Sequence, residues 1–182
     1  MSTAIAYSEF GSADVLSQID IAVAAPAHGE VAVRVEAVGV NPLDAKLRSG
    51  KRVSPPITEP RRLGSDGAGV VTAVGDGVEG YRVGDPVIVF GAAGVYASDI
   101  VVGAAHVVRR PENVSAAVGA ALGIPIGTAY QTVRSLAIGS DDTVLVHAGS
   151  GSVGQAVIQF ARLFGATVLA TTSDRRADRV RE

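Results

Sequence analysis

With 182 residues the chain is long enough to bury a sizeable core, in one large domain or two small ones. Apolar residues make up 47% and charged residues 19%, which excludes a disordered chain. The net charge of −2, with both signs interspersed, gives no footprint for nucleic acid or an anionic membrane. The absence of cysteine excludes disulfides and any thiolate zinc site.

The opening "MSTAIAYSEFGSADV" has no basic region followed by an apolar one, so no signal peptide is expected and a cytoplasmic, soluble protein is. The first 110 residues read as β-rich. The alternating, valine-rich stretch 29–40 predicts a half-buried strand, and 67–74, 85–90 and 98–103 predict three more. Gly/Asp clusters at 75–80 and 83–85 read as turns. A short helix is expected over 42–48, with Pro42 at its first position. Many short strands with regular turns predict a barrel or folded sheet.

The pattern changes near residue 111. Residues 113–133 carry no charge, but Pro125 and several glycines make a pair of buried helices, broken at Pro125, the better reading than a membrane span. Residues 141–149 form a nearly continuous apolar run, as in a strand covered on both faces. An amphipathic helix over 152–165, ended by Gly165, a second buried strand over 166–172 and a helix start capped by Ser173 or Asp174 follow. Residues 141–172 thus make one βαβ unit.

Between that strand and helix, Gly149-Ser150-Gly151-Ser152-Val153-Gly154 fits G-x-G-x-x-G in the context that the pattern requires. The early glycines would allow a tight turn and close approach to phosphate, Gly154 would let the helix pack on the strand, and the helix N-terminus would offer its free N–H groups to a pyrophosphate. A glycine-rich turn with no ligand is the plain alternative. An NAD site usually places Asp or Glu at the end of the second strand. Here that place holds Thr172 and Ser173, with Arg175 and Arg176 beyond, a set suited to the 2′-phosphate of NADPH. Asp174 argues the other way, and the arginines alternatively form a solvated helical turn.

Four stretches in this order, 30–50, 63–87, 120–133 and 144–173, resemble the zinc-free, zeta-crystallin-like quinone oxidoreductase branch of the medium-chain dehydrogenase/reductase superfamily. The resemblance implies a GroES-like β-barrel domain over 1–112 that carries the substrate side. Over 113–182 it implies the first half of a Rossmann doubly wound parallel sheet. Zinc-using members place Cys at the position of Asn41, a His-Glu pair at Ser65-Asp66, and a third ligand near Ile124-Pro125, so no metal is expected here. Hydride transfer to an already electrophilic quinone or α,β-unsaturated carbonyl needs none.

By the same resemblance Asn41 borders the nicotinamide, with capping of the helix before Pro42 as its alternative role. Lys46 stands where some members carry Tyr and others Lys, a candidate acid. Thr128 lies near the nicotinamide, and core packing is the alternative for it and Tyr130. Asp44 is expected to serve the site or to pair with Lys46 or Arg48. His147, at the end of the strand before the glycine turn, is expected to be structural, and His28 and His106 carry no assigned role. The resulting expectation is an NADPH-dependent reductase of quinones or enones, acting as a homodimer. A nucleotide-binding or scaffold form without turnover is the alternative. An excised carrier-bound enoyl reductase domain is a third reading, against which the Met1 start and lack of linker sequence weigh. Roughly three or four further βα units, at about 30 residues each, would complete the sheet. A partial chain, poorly active alone and self-associating through an exposed sheet edge, is therefore expected.

Overall fold

The computed structural model describes residues 1–181 and divides into two compact units, Met1–Ile124 and Pro125–Glu182. In the first, β1 (Ser2–Tyr7) pairs antiparallel with β2 (Ser17–Ile21). The long strand β3 (Glu30–Gly39) leads into α1 (Pro42–Arg48), and β4 (Arg61–Arg62) returns to the other edge of β1. Next come β5 (Asp66–Val74), β6 (Pro86–Phe90), β7 (Asp99–Gly103) and β8 (Val107–Arg109). These four strands and β3 form an antiparallel sheet in the order β7-β3-β5-β6-β8.

Period-two valine patterning builds the core of this sheet. Val31 and Val33 of β3, Val71 of β5, and Val87 and Val89 of β6 are all buried on one another with Val95. Two register shifts in the β3–β5 ladder, after Ala32 and after Val35, bend the sheet. The expected GroES-like fold is present, as sheets that do not close into a complete barrel. β7 and β8 end the five-stranded sheet, and β1 joins the segment before β7 by the isolated bridge of Ala4 to Ala97 and backbone bonds of Ile5 to Tyr96 and Ser98 to Thr3.

The helix α2 (Ala116–Ala120), capped by the Ser115 hydroxyl, lies on β3, β5 and β6. Small residues permit the close approach: a Cβ on Gly39 would collide with the Ala120 carbonyl, and one on Gly119 would stand 3.0 Å from Ile88. This packing carries the first unit to Ile124, past the boundary expected at 112.

The helix α3 (Gly123–Ser135) starts in the first unit and supplies Ala129 and Val133 to the core of the second. Pro125 does not break it. It occupies the first turn, where no backbone N–H is needed, and the break falls at Ala121-Leu122. The second unit then has β9 (Thr143–Val146), α4 (Ser152–Leu163) and β10 (Thr167–Ala170), with β9 and β10 parallel. A 3-10 turn, Asp174–Arg176, precedes α5 (Asp178–Arg181). The two strands are shorter than the apolar runs that predict them. α4 ends as expected at Gly165, whose φ of 91° suits glycine. One face of the two-stranded sheet is buried on α4, through Val146, Ala156 and Val157. Leu145 and its register partner Leu169 are more than half exposed. Among the described residues no helix is long and apolar enough to cross a membrane.

Candidate functional site

In the first unit the chemistry gathers at the start of α1. Proline at the first helical position fixes the turn, and Asn41 is its N-cap. The Asp44 carboxylate reaches back to the Asn41 backbone N–H at 2.8 Å, the acidic half of a capping box. The same oxygen accepts from the Tyr96 hydroxyl at 2.8 Å. Asp44 is buried and turned inward, so the expected pairing with Lys46 or Arg48 is corrected. The Asn41 side-chain amide donates to Asp66 at 2.9 Å, and the backbone N–H of Ile124 donates to the same Asp66 oxygen at 2.9 Å.

Asp66 is only 1% exposed. Burial raises its pKa above the ordinary carboxylate value, the Ile124 and Asn41 donors pull against that shift, and the nearby Asp44 charge adds to it. Burial, then the bond to Asp44, hold the Tyr96 hydroxyl well above the usual tyrosine range. The sequence marked Asp66 only as a zinc position without a usable partner and did not mark Tyr96. The available signal was an acid at the head of the apolar strand "DGAGVV". Lys46 lies on α1 with its side chain exposed and its ammonium group unpaired among the described residues, away from this array of bonds.

In the second unit the glycine turn joins β9 to α4. The residue with positive φ is Ala148, at 55°, so the expectation that the early glycines supply the tight turn is corrected. Gly149 is required by contact instead: its Cβ would stand 2.9 Å from Ala170. Gly154 is required most strictly, since a Cβ there would overlap the Ala148 carbonyl and approach the Gly149 Cα to 2.9 Å. The Gly151 N-cap has no capping side chain, and the N–H groups of Ser152, Val153 and Gly154 begin the helix without intrahelical partners. An uncapped helix start on a tight turn fits a pyrophosphate.

The turn is tied to the end of β10. The Thr172 hydroxyl donates to the Ser150 hydroxyl at 2.7 Å, and the His147 ring lies 3.0 Å from the Thr171 hydroxyl. Thr172 thus serves the turn directly. Ser173 caps the 3-10 turn by its backbone without a side-chain bond, and Arg175 and Arg176 are exposed beside Asp174. The structure brings Ser150 and Thr172 together and places Ser173, Arg175 and Arg176 just beyond them. Thr128 lies on α3 with its side chain exposed, and its carbonyl accepts from Thr132 at 2.8 Å. Tyr130 packs edge-on against Phe160, with ring centroids 5.4 Å apart. His106 bonds the Phe90 carbonyl at 3.1 Å. Among the described residues no three His, Asp or Glu side chains are grouped to hold a metal ion.

Comparison with known proteins matches residues 27–135 to the alcohol dehydrogenase GroES-like domain family. The chain is 37% identical to the quinone oxidoreductase of Homo sapiens over 97% of its own length and 54% of that protein. The Escherichia coli quinone oxidoreductase complexed with NADPH superimposes with a TM-score of 0.86 at 31% identity, over 98% of this chain and 55% of that one. The CurK enoyl reductase gives 0.92 at 30% identity, over 99% and 57%. The chain spans about half the length of the curated relatives it matches. With its GroES-like strands, its glycine turn and these likenesses together, the chain belongs to the medium-chain dehydrogenase/reductase superfamily, in the quinone oxidoreductase branch.

Proposed function

We propose that the chain is the substrate-side domain and the leading part of the nucleotide domain of a cytoplasmic, NADPH-dependent oxidoreductase. It transfers a hydride to quinones or α,β-unsaturated carbonyls without zinc. The observation that carries this reading is the uncapped start of α4 on a turn where Gly149 and Gly154 leave no space for a side chain. The N–H groups of Ser152, Val153 and Gly154, with the helix dipole, bind the pyrophosphate. Gly149, Ser150 and Gly151 let the backbone approach it, and Thr172 holds Ser150 in place. Ser173, Arg175 and Arg176 take the 2′-phosphate, for which guanidinium groups are suited.

Bound NADPH would supply the hydride. Asn41 orients the nicotinamide or the acceptor through its amide. Lys46 supplies the proton taken up by the hydroquinone anion or enolate that hydride transfer leaves. Thr128 contributes a hydroxyl near the ring. The E. coli relative's complex with NADPH supports the choice of cofactor, and the missing thiols support a zinc-free reaction. The exposed leucines of β9 and β10 favour self-association as a homodimer. A nucleotide-binding form without turnover is the second reading, favoured by the exposure of Lys46 and Thr128.

The test follows NADPH consumption with 1,4-benzoquinone and with a simple enone. Turnover with either supports the reductase. Saturable NADPH binding without turnover supports the second reading, and absence of both overturns the two together.

A further inference from the structure

Asn41, Asp44, Asp66 and Tyr96 come from the start of α1, the start of β5 and the loop before β7, yet form one buried hydrogen-bonded chain. Within it, the orientation of the Asn41 amide is decided by Asp66. An ionised carboxylate only accepts hydrogen bonds. With Nδ2 held 2.9 Å from Asp66 Oδ2, the amide cannot be reversed without setting two acceptor oxygens against each other. Asp66 itself has no freedom to follow. The Ile124 N–H donates to the same oxygen, and a Cβ on Gly123 would collide with the carboxylate.

We infer that Asp66 is a positioning residue: it holds Asn41 so that the second N–H of the amide is left as a fixed donor, while the amide oxygen faces the first turn of α1 in the capping box. A fixed donor suits the carbonyl oxygen of a carboxamide, the group carried by nicotinamide, and the inference rests on the cofactor reading above. Asp66 then acts through Asn41 and touches neither cofactor nor acceptor.

Asp66→Asn keeps the shape and removes a charge that burial disfavours, so the fold is expected to tolerate it. Nitrogen-15 NMR of the 182-residue chain reads the Asn41 side-chain amide directly. Its solvent exchange is expected to be slow in the wild type and at least about tenfold faster in Asp66→Asn, as for loss of a bond to a charged acceptor. NADPH affinity is expected to fall about tenfold in the variant, while adenosine 2′,5′-bisphosphate, which lacks the nicotinamide, binds both proteins alike. If neither nucleotide binds either protein, the cofactor reading fails, and the amide exchange still decides whether Asp66 holds Asn41. Unchanged exchange, unchanged NADPH affinity where NADPH binds, or equal losses for both nucleotides would overturn the positioning role.

Should the variant not fold, lowering the pH on the wild type makes the same test. The raised pKa of Asp66 means that its carboxylate is protonated above the ordinary carboxylate range as pH falls, and the Asn41 side-chain amide is expected to loosen in that range. The other titratable groups facing it are Asp44 on α1 and Tyr96 on the loop; α3 offers a backbone N–H and β6 the uncharged Phe90. The Asn41 backbone N–H, which donates to the Asp44 carboxylate and not to Asp66, is followed alongside as the internal control. An amide that stays protected through Asp66 protonation would overturn the inference.

Discussion

Replacing Gly154 by Ala sets two effects of known sign against each other. In an unobstructed helix interior the change stabilises by up to about 1 kcal/mol. At Gly154 the new Cβ would overlap the Ala148 carbonyl oxygen and lie 2.9 Å from the Gly149 Cα and 3.0 Å from the Ala148 carbonyl carbon. All three are backbone atoms, and Ala148 is already in the left-handed region at φ 55°, so the turn cannot yield cheaply. Overpacking costs about 1–3 kcal/mol, and backbone obstruction puts this site at the upper end, for a net loss of about 1–2 kcal/mol after the helix gain. Two controls isolate the contact. Gly151→Ala has φ −77°, which any residue adopts, and meets only the Ala148 carbonyl at 3.3 Å, but alanine is a poorer N-cap than glycine, so a small loss of about 0.5–1 kcal/mol is expected. Gly127→Ala, on α3 with nothing within 4 Å, is expected to stabilise by about 0.5–1 kcal/mol. Native-state hydrogen exchange of the β9 and α4 amides reads the second unit by itself. Protection is expected to rank Gly127→Ala above wild type and Gly151→Ala, with Gly154→Ala lowest. Wild-type protection in Gly154→Ala would refute the close-contact reasoning.

Tyr96→Phe removes the hydroxyl bonded to Asp44 and is expected to cost about 1–2 kcal/mol at neutral pH. Because the Tyr96 pKa is raised, its contribution is fully present below the ordinary value of 10.0 and is lost as pH rises through the folded value, so denaturation curves of the two proteins are expected to converge in alkali. Asp85 has the opposite sign. Burial raises its pKa, but the Arg82 N–H and the Arg109 and Arg82 charges outweigh it and hold the carboxyl below 3.8. Asp85→Asn is therefore expected to be less stable than wild type at neutral pH, with the difference shrinking as acid protonates the wild-type group in an acid-denaturation series. Elemental analysis of the dialysed protein is expected to find no stoichiometric zinc, because Asn41, Ser65 and Ile124 stand at the three ligand positions implied by the family. Near one zinc per chain would contradict the zinc-free assignment.

The elements with strong local signals were legible in the sequence. Pro42 placed the start of α1, valine alternation placed β3, and the turn residues bounded β5, β6 and β7. β1 and β2 were not legible, because two of the three buried positions of "STAIAY" are alanines with little hydrophobic contrast, and "SQIDI" buries nothing fully. Pro125 misled because a helix breaker in the interior is harmless in a first turn. In the candidate site, the glycine turn announced itself by local context. The Asn41–Asp66 bond spans 25 positions and the Tyr96–Asp44 bond 52, separations at which residue patterns carry no pairing information. Ala148 shows a further limit: the left-handed residue of the turn is not a glycine but the alanine just before Gly149.

Calorimetric titration of the chain with NADPH and NADH side by side, on wild type and on the Arg175→Ala, Arg176→Ala double variant, tests the central claim most directly. The account predicts that wild type binds NADPH at least several-fold more tightly than NADH and that the double variant weakens NADPH far more than NADH, since two guanidinium groups each lose a charged bond to the 2′-phosphate. Equal affinities in the wild type, or equal losses for both nucleotides in the variant, would contradict it and leave Arg175 and Arg176 as a solvated turn.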